Sequence, residues 1–319
     1  MPFAAPARSR LRITLGAGAG GEVDTDVPVL AGVGVENLFG PARPAGREGP
    51  LALFQAGDWL LGAATLPLVA GLEQAARECY AHVFAATAGR HLARVWNYVP
   101  AINAPGPGGL ENYQLFCRGR SLAFEQQFGK AFNMRLPSAS AVGSESEDLT
   151  VVFAACSALP RHVENPRQVA AYDYPAEYGP RPPSFARATV IRAPGGTTVF
   201  ISGTAAIRGH ATFARDSLPE QLECTLSNLR EISLACGLGF GLDEGGISTR
   251  HFKVYLRHAG DQPAVAARLA EGFLKSTDCV SYLKADLCRA PLLVEIEASL
   301  FGVTLLQPDP AASPVSLPA

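Results

Sequence analysis

The chain has 319 residues, enough for one large or two modest domains and for an apolar core that needs no metal or disulfide staples. Its 48% hydrophobic and 18% charged residues exclude a disordered polypeptide. Lys+Arg 27 against Asp+Glu 29 leaves a net charge of −2, which argues against nucleic acid or a membrane surface as a partner.

The start, Met1-Pro-Phe-Ala-Ala-Pro-Ala-Arg8, lacks the apolar stretch of a secretory signal, and no run approaches the ~18 apolar residues of a membrane span. A cytoplasmic location is expected. The first strong element is a buried strand at Asp58–Leu66, whose Gly62 allows a bend or a close backbone approach. An amphipathic helix follows at about 72–88. A strand at Leu92–Tyr98, a helix at about 110–128 and a strand at Leu149–Ala155 complete the series. The series then repeats. A strand at Val199–Ile207 with Gly203, a helix at about 219–235, a strand at Phe252–Leu256, a helix at about 262–274 and a strand at Leu293–Ala298 come in the same order. Strand-helix-strand-helix-strand, twice, predicts an α+β protein of two tandem domains, each a mixed sheet with helices on one face.

The predicted boundaries are 1–160, a Pro/Tyr-rich connector at 161–183, a second domain at 184–306 and a tail at 307–319. The connector's prolines favour an extended passage over the surface. Seven cysteines form no CxxC pair and no zinc-like cluster with histidine, so reduced thiols and no metal are expected. Of the 27 basic residues only Lys130, Lys253, Lys275 and Lys284 are lysines, so arginine is the expected binder of any carboxylate.

Aligning Ala155 with Ala298 sets Val152 opposite Glu295 and Ala154 opposite Glu297. Strand side chains alternate, so the later strand carries two carboxylates on one face where the earlier is apolar. One copy reads as structural and the other as chemical. His210 has no evident paired carboxylate, Trp59 and Trp96 read as core, and Gly237-Leu-Gly-Phe-Gly follows a helix and is no dinucleotide fingerprint.

Several segments resemble known sequences. Val199-Phe-Ile-Ser-Gly-Thr204, Lys253-Val-Tyr255 and Leu293-Val-Glu-Ile-Glu-Ala298 resemble the Rid (YjgF-like) superfamily. His91 to Pro100, Glu111-Asn-Tyr through Arg120, Pro183-Ser-Phe-Ala-Arg-Ala188 and Ser202 to His210 together resemble the chorismatase family, whose members carry a degenerate Rid-like first half and a functional second half. The Arg that Rid imine deaminases carry about fifteen residues before the strand Glu is replaced here by Val280.

The resemblance implies cofactor-independent cleavage of chorismate, a small doubly anionic substrate, to pyruvate and a hydroxybenzoate. The 3-isomer comes first and the 4-isomer beside it. It assigns Glu295 as the acid that protonates the enolpyruvyl methylene and Cys288 as the thiol that assists ring opening to the aromatic product. Such a diacid needs cationic clamps, for which the candidates are Arg120, Arg187 and Arg268. Arg268 shares a helix with Val265, Leu269 and Phe273 and lies between alanines, a position that suits a guanidinium turned into a cleft. Thr204 is a donor as in the family, and Tyr178 of the connector closes the pocket or packs. Ala205 resembles instead a hydrolytic branch that gives a dihydroxycyclohexadiene acid, so the product stays open here. An imine deaminase and a non-catalytic binding module are the readings of another class, and both a monomer and a small homo-oligomer are consistent with a duplicated chain.

Overall fold

Alternating apolar runs build most of the molecule. The computed structural model describes residues 9–15, 21–193, 195–242 and 244–306. In chain order come β1 (Arg10–Thr14), β2 (Glu22–Gly32), β3 (Val35–Glu36), β4 (Arg43–Glu48), β5 (Leu51–Ala56), β6 (Trp59–Leu66), α1 (Leu72–Ala86), β7 (His91–Pro100), α2 (Asn112–Phe128), β8 (Ser138–Ser144) and β9 (Leu149–Cys156). There follow β10 (Arg161–Val163), β11 (Ala188–Ala193), β12 (Gly196–Ala205), a small hairpin of β13 (Ile207–Arg208) and β14 (Ala211–Thr212), α3 (Leu218–Cys236), β15 (Thr249–Leu256), α4 (Gln262–Ala270), β16 (Cys279–Lys284) and β17 (Val294–Val303).

The strands form a six-stranded sheet, β4-β5-β6-β9-β7-β8, and a nine-stranded sheet, β10-β11-β12-β17-β15-β16-β2-β1-β3. The order β5-β6-β9-β7-β8 in one matches β11-β12-β17-β15-β16 in the other. Each of these matched runs contains one parallel pair, β7 with β8 and β15 with β16, and the helices α2 and α4 make those crossovers; β1 and β3 form a second parallel pair at the edge of the larger sheet. The fold is mixed α+β.

Side-chain alternation sorts the core into layers. Val151, Phe153 and Ala155 of β9 pack with α1 and α2, while Val152, Ala154 and Cys156 point to the space between the sheets. On β17, Ile296, Ala298 and Leu300 pack with α3 and α4. Trp96, Phe200 and Tyr255 fill the layer between the sheets. Each such fully buried large side chain contributes about 1.5–3 kcal/mol.

Two features depart from the sequence reading. Residues 10–36, grouped there with the first domain, are hydrogen-bonded into the other sheet: β2 pairs antiparallel with β16, Ala31 opposite Tyr282. The connector does more than cross the surface, although most of its residues stay at least partly exposed. Its start is β10, paired with β11, helical turns follow at Ala171–Asp173 and Ala176–Tyr178, and Tyr174, Tyr178 and Pro183 line a cavity. The prolines hold the backbone open while the tyrosine rings are drawn to shared apolar surface. The tail from Gln307 lies outside the described residues. No described helix is long and apolar enough to cross a membrane.

Candidate active site

The cavity lies where α2 meets the strand ends of the nine-stranded sheet, with a volume of about 650 Å³. That size suits a small organic ligand. Helix α2 contributes Tyr113, Cys117 and Arg120, β8 contributes Ser140, and β12 contributes Gly203 and Ala205. The connector and the segment after it supply Tyr174, Tyr178 and Arg187, while Cys288, Arg289 and Glu295 close the other side.

Glu295 is held on β17 between Ala205 of β12 and Tyr255 of β15. It is 3% exposed, and no hydrogen bond reaches its carboxyl among the described residues. Burial pushes its pKa up to about 8, the charge of Glu297 adds to the rise, and Arg94 and Arg187 oppose it without cancelling it. The β12–β17 register explains how the carboxyl fits. Ile201 pairs with Ala298 but Thr204 pairs with Ile296, so β12 carries one extra residue. This bulge turns Gly203 toward Glu295, where a β-carbon would overlap Oε1. Gly203 N–H donates to Ser140 Oγ at 2.9 Å, fixing the bulge against β8.

Glu297 has a contrasting environment on the same face. Trp96 Nε1 donates to its Oε1 at 2.8 Å, Lys253 Nζ at 3.0 Å, and Arg94 donates to its Oε2 at 2.8 Å. Burial alone would raise its pKa, but these cations and hydrogen bonds from Ser140 and Lys253 bring it down to about 2.

The structure brings two of the three proposed arginine clamps to the cavity. Arg120 is 3% exposed, lies over the rings of Tyr80 and Phe124, and leaves Nε and one terminal nitrogen without a partner among the described residues. Arg187 is 7% exposed and donates to Tyr174 Oη at 2.6 Å, with its Nε unpartnered. Arg268 does not belong with them. It pairs with Glu223 on the surface, Nε to Oε1 at 2.5 Å, because Val265 and Leu269 commit α4 to the sheet face opposite Glu295. Thr204 is not a lining residue either: its hydroxyl donates to its neighbour's carbonyl, Ser202 O, at 2.9 Å.

A buried carboxyl with a raised pKa and two arginines with unmet donors, lining one cavity, can take a small anion. Residues 40–155 match the family model described as chorismatase FkbO/Hyg5-like, N-terminal. A 3-hydroxybenzoate synthase of Streptomyces hygroscopicus is 38% identical over 255 residues, 76% of this chain and 73% of the relative. The chain belongs to the chorismatase family. A chorismatase of Streptomyces rapamycinicus is 36% identical over 267 residues, covering 81% of this chain and 79% of that one. A crystal structure of a chorismatase superposes with a TM-score of 0.73 at 30% identity, covering 94% of this chain and 95% of that one.

Cys288 and Ala205 line the cavity together with Glu295, and Tyr178 stands at its wall. Burial pushes the Cys288 thiol up to about 12, and the charge of Glu295 adds to the rise. Tyr178 packs under the Arg289 guanidinium, 3.8 Å from the ring centroid, and Arg289 also donates to His210 O at 2.7 Å. His210 does have a carboxylate neighbour: Nδ1 lies 3.6 Å from Glu177 Oε1 and 3.2 Å from Tyr178 Oη, but all this is at the exposed rim. Arg289, Arg215, Tyr113 and Ser140 are lining residues that sequence reasoning did not single out. Arg289 adjoins Cys288, and that adjacency was the available signal.

Proposed function

We propose that the protein cleaves chorismate to pyruvate and a hydroxybenzoate, 3-hydroxybenzoate foremost, with Glu295 as the proton donor. The observation that carries this reading is Glu295 itself: a buried carboxyl at the wall of a cavity whose other walls hold Arg120 and Arg187 with free donors. Of the charged lining groups, Arg120, Arg187, Arg215 and Arg289 outnumber Glu111, Glu177 and Glu295, which suits a doubly anionic substrate. The relative named 3-hydroxybenzoate synthase, together with Cys288 at the cavity, favours the aromatic product over hydrolysis. The repeated strand order supports reading the fold as two tandem Rid-like modules, the first without the paired acids.

Arg120 and Arg187 bind the two carboxylates by charge-assisted hydrogen bonds and satisfy their own unpaired N–H groups on doing so. Glu295, protonated below about pH 8, gives its proton to the methylene carbon of the enol ether. The resulting oxocarbenium ion is stabilised by the carboxylate left behind. The ring hydroxyl attacks the adjacent ether-bearing carbon, the bond from that carbon to the ether oxygen breaks, and pyruvate leaves with that oxygen as its ketone. The hydroxyl proton returns to Glu295, leaving an arene oxide. Cys288, kept as a thiol by its high pKa, donates to the epoxide oxygen as one C–O bond opens, and the ring C–H proton replaces the one it lost. Which C–O bond opens decides between the 3- and 4-hydroxy products. No water is consumed.

The test is incubation with chorismate, pyruvate measured by a coupled dehydrogenase and the aromatic acids by mass and retention time. Pyruvate with 3-hydroxybenzoate is expected. No pyruvate above the spontaneous rate overturns the function. A dihydroxycyclohexadiene acid as sole product overturns the aromatising step.

A further inference from the structure

The mechanism above leaves a group of buried charges unused. Arg94, Trp96, Lys253 and Glu297 are each at most 2% exposed, and Glu36 is 6% exposed. Lys253 Nζ bridges Glu297 Oε1 at 3.0 Å and Glu36 Oε2 at 2.5 Å, and Arg94 takes the other oxygen of Glu297. Two carboxylates face two cations, so the cluster is neutral as a whole. Its charges are nevertheless fixed in place, because both oxygens of Glu297 accept from cations or from the Trp96 indole.

Glu295 and Glu297 are two residues apart on one strand, about 7 Å along it. Glu297 therefore presents a fixed negative charge to Glu295. The other groups around Glu295 offset it only in part. β12 presents Gly203 and Ala205, which carry no charge. β15 presents the uncharged phenol of Tyr255, and Cys288 remains a neutral thiol. Arg94 is ion-paired with Glu297 itself and donates to Ser140, and Arg187, bonded to the neutral Tyr174 Oη and Val169 O, is the remaining cation that opposes Glu297.

We infer that Glu297 is the positioning residue for Glu295: an anion clamped by Arg94, Lys253 and Trp96, it strengthens the hold that burial gives the catalytic carboxyl on its proton. The inference rests on the reading of Glu295 as the proton donor. The N-terminal strand β3, far away in sequence, takes part by supplying Glu36, the second counter-charge that keeps Lys253 buried.

The experiment uses the full-length protein. The infrared band of the protonated Glu295 carboxyl, assigned by its loss in Glu295→Gln, is titrated in the parent, in Glu297→Gln and in Glu36→Gln, and the alkaline limb of kcat/KM for chorismate is followed in the parent and the last two. In Glu297→Gln the cations lose their anion, so the midpoint and the limb should fall together by about one pH unit or more, about tenfold in rate at the parent's midpoint. Glu297→Asp keeps the anion and should restore most of that fall. Glu36→Gln removes a carboxylate from the same cluster but not from beside Glu295, so the midpoint should stay. If Glu297→Gln does not fold, the charge-balanced E297Q/K253M replaces it, with the same fall expected because Arg94 remains. An unmoved midpoint, or an equal fall in Glu36→Gln, overturns the inference while leaving Glu295 as donor. Full turnover in Glu295→Gln would instead overturn the underlying reading.

Discussion

The two central strands of the molecule have the same neighbours and opposite characters. β9 lies between β6 and β7, and β17 between β12 and β15. β9 pairs with β6 from Leu60 to Leu66 without a shift, and it sends Val152 and Ala154 into the space between the sheets. β17 faces a bulged β12 and carries two buried carboxyls, Glu295 and Glu297. An apolar strand in that position adds hydrophobic stability. A charged one destabilises the fold by several kcal/mol unless each charge is matched. Glu297 is matched and Glu295 is not. Of these two carboxyls, Glu295 is the one for which the described residues supply no hydrogen-bond partner, as the proposed proton donor requires.

Removing that carboxyl breaks the comparison most severely. Glu295→Gln should lower kcat for pyruvate release by about 10³-fold or more, since a neutral amide cannot donate the proton. It should also stabilise the protein in alkali. Folding raises the proton affinity of Glu295, so its contribution to stability is fully present in the ordinary carboxylate range and is lost as pH rises through about 8. The amide escapes that loss. A gain on the order of 1–3 kcal/mol above pH 8, shrinking toward pH 5, is the expected result of thermal unfolding across pH. In the parent, kcat/KM should hold below about pH 8 and fall above it.

The arginines come next. Arg120→Met and Arg187→Met should each raise KM about 10- to 100-fold with a smaller change in kcat, because each loses charge-assisted hydrogen bonds that form on binding. Equal losses in kcat would move them from binding to the transition state.

The same glycine substitution in both sheets sharpens the contrast. At Gly203 a β-carbon would overlap Glu295 Oε1, so Gly203→Ala should displace the carboxyl and reduce kcat about 10- to 100-fold. At Gly62 the β-carbon would meet the Phe153 ring, so Gly62→Ala should destabilise by about 1–3 kcal/mol while leaving kcat where it is. Paired measurements of kcat and unfolding midpoint decide the matter. A kcat loss in Gly62→Ala would remove the distinction between the two strands.

Periodicity was legible where contacts are local. The predicted helix at 72–88 is α1 (Leu72–Ala86), that at 219–235 is α3 (Leu218–Cys236), and the strand at 149–155 is β9 (Leu149–Cys156). Aligning Val152 with Glu295 exposed the asymmetry, since side-chain alternation is written directly in the sequence. The partners of Glu297 were not legible. Arg94 and Trp96 reach it across more than 200 residues, and no local pattern encodes which distant strand a face will meet. Trp96 was read as core; it is buried there, and its indole N–H also holds an acid. The N-terminal strands escaped for the same reason, because β2 joins β16 some 250 residues later in the chain.

Arg268 tests how far helix periodicity reaches. It shares α4 with Val265 and Leu269, and apolar neighbours suggested a guanidinium turned into a cleft. A helix advances 100° per residue, so Val265 and Leu269 mark one face and Arg268 lies to its side. That face is buried with Val254 and Ile296, on the side of the sheet away from Glu295, and no side chain of α4 lines the cavity. The guanidinium instead meets Glu223 of α3, with both partners substantially exposed. Exposed pairs of this kind are worth about 0–1 kcal/mol. Arg268→Ala should therefore leave KM and kcat for chorismate within about twofold of the parent and lower stability by less than about 1 kcal/mol, the smallest effect in the series. A tenfold rise in KM would mean that α4 moves to the cavity when substrate binds.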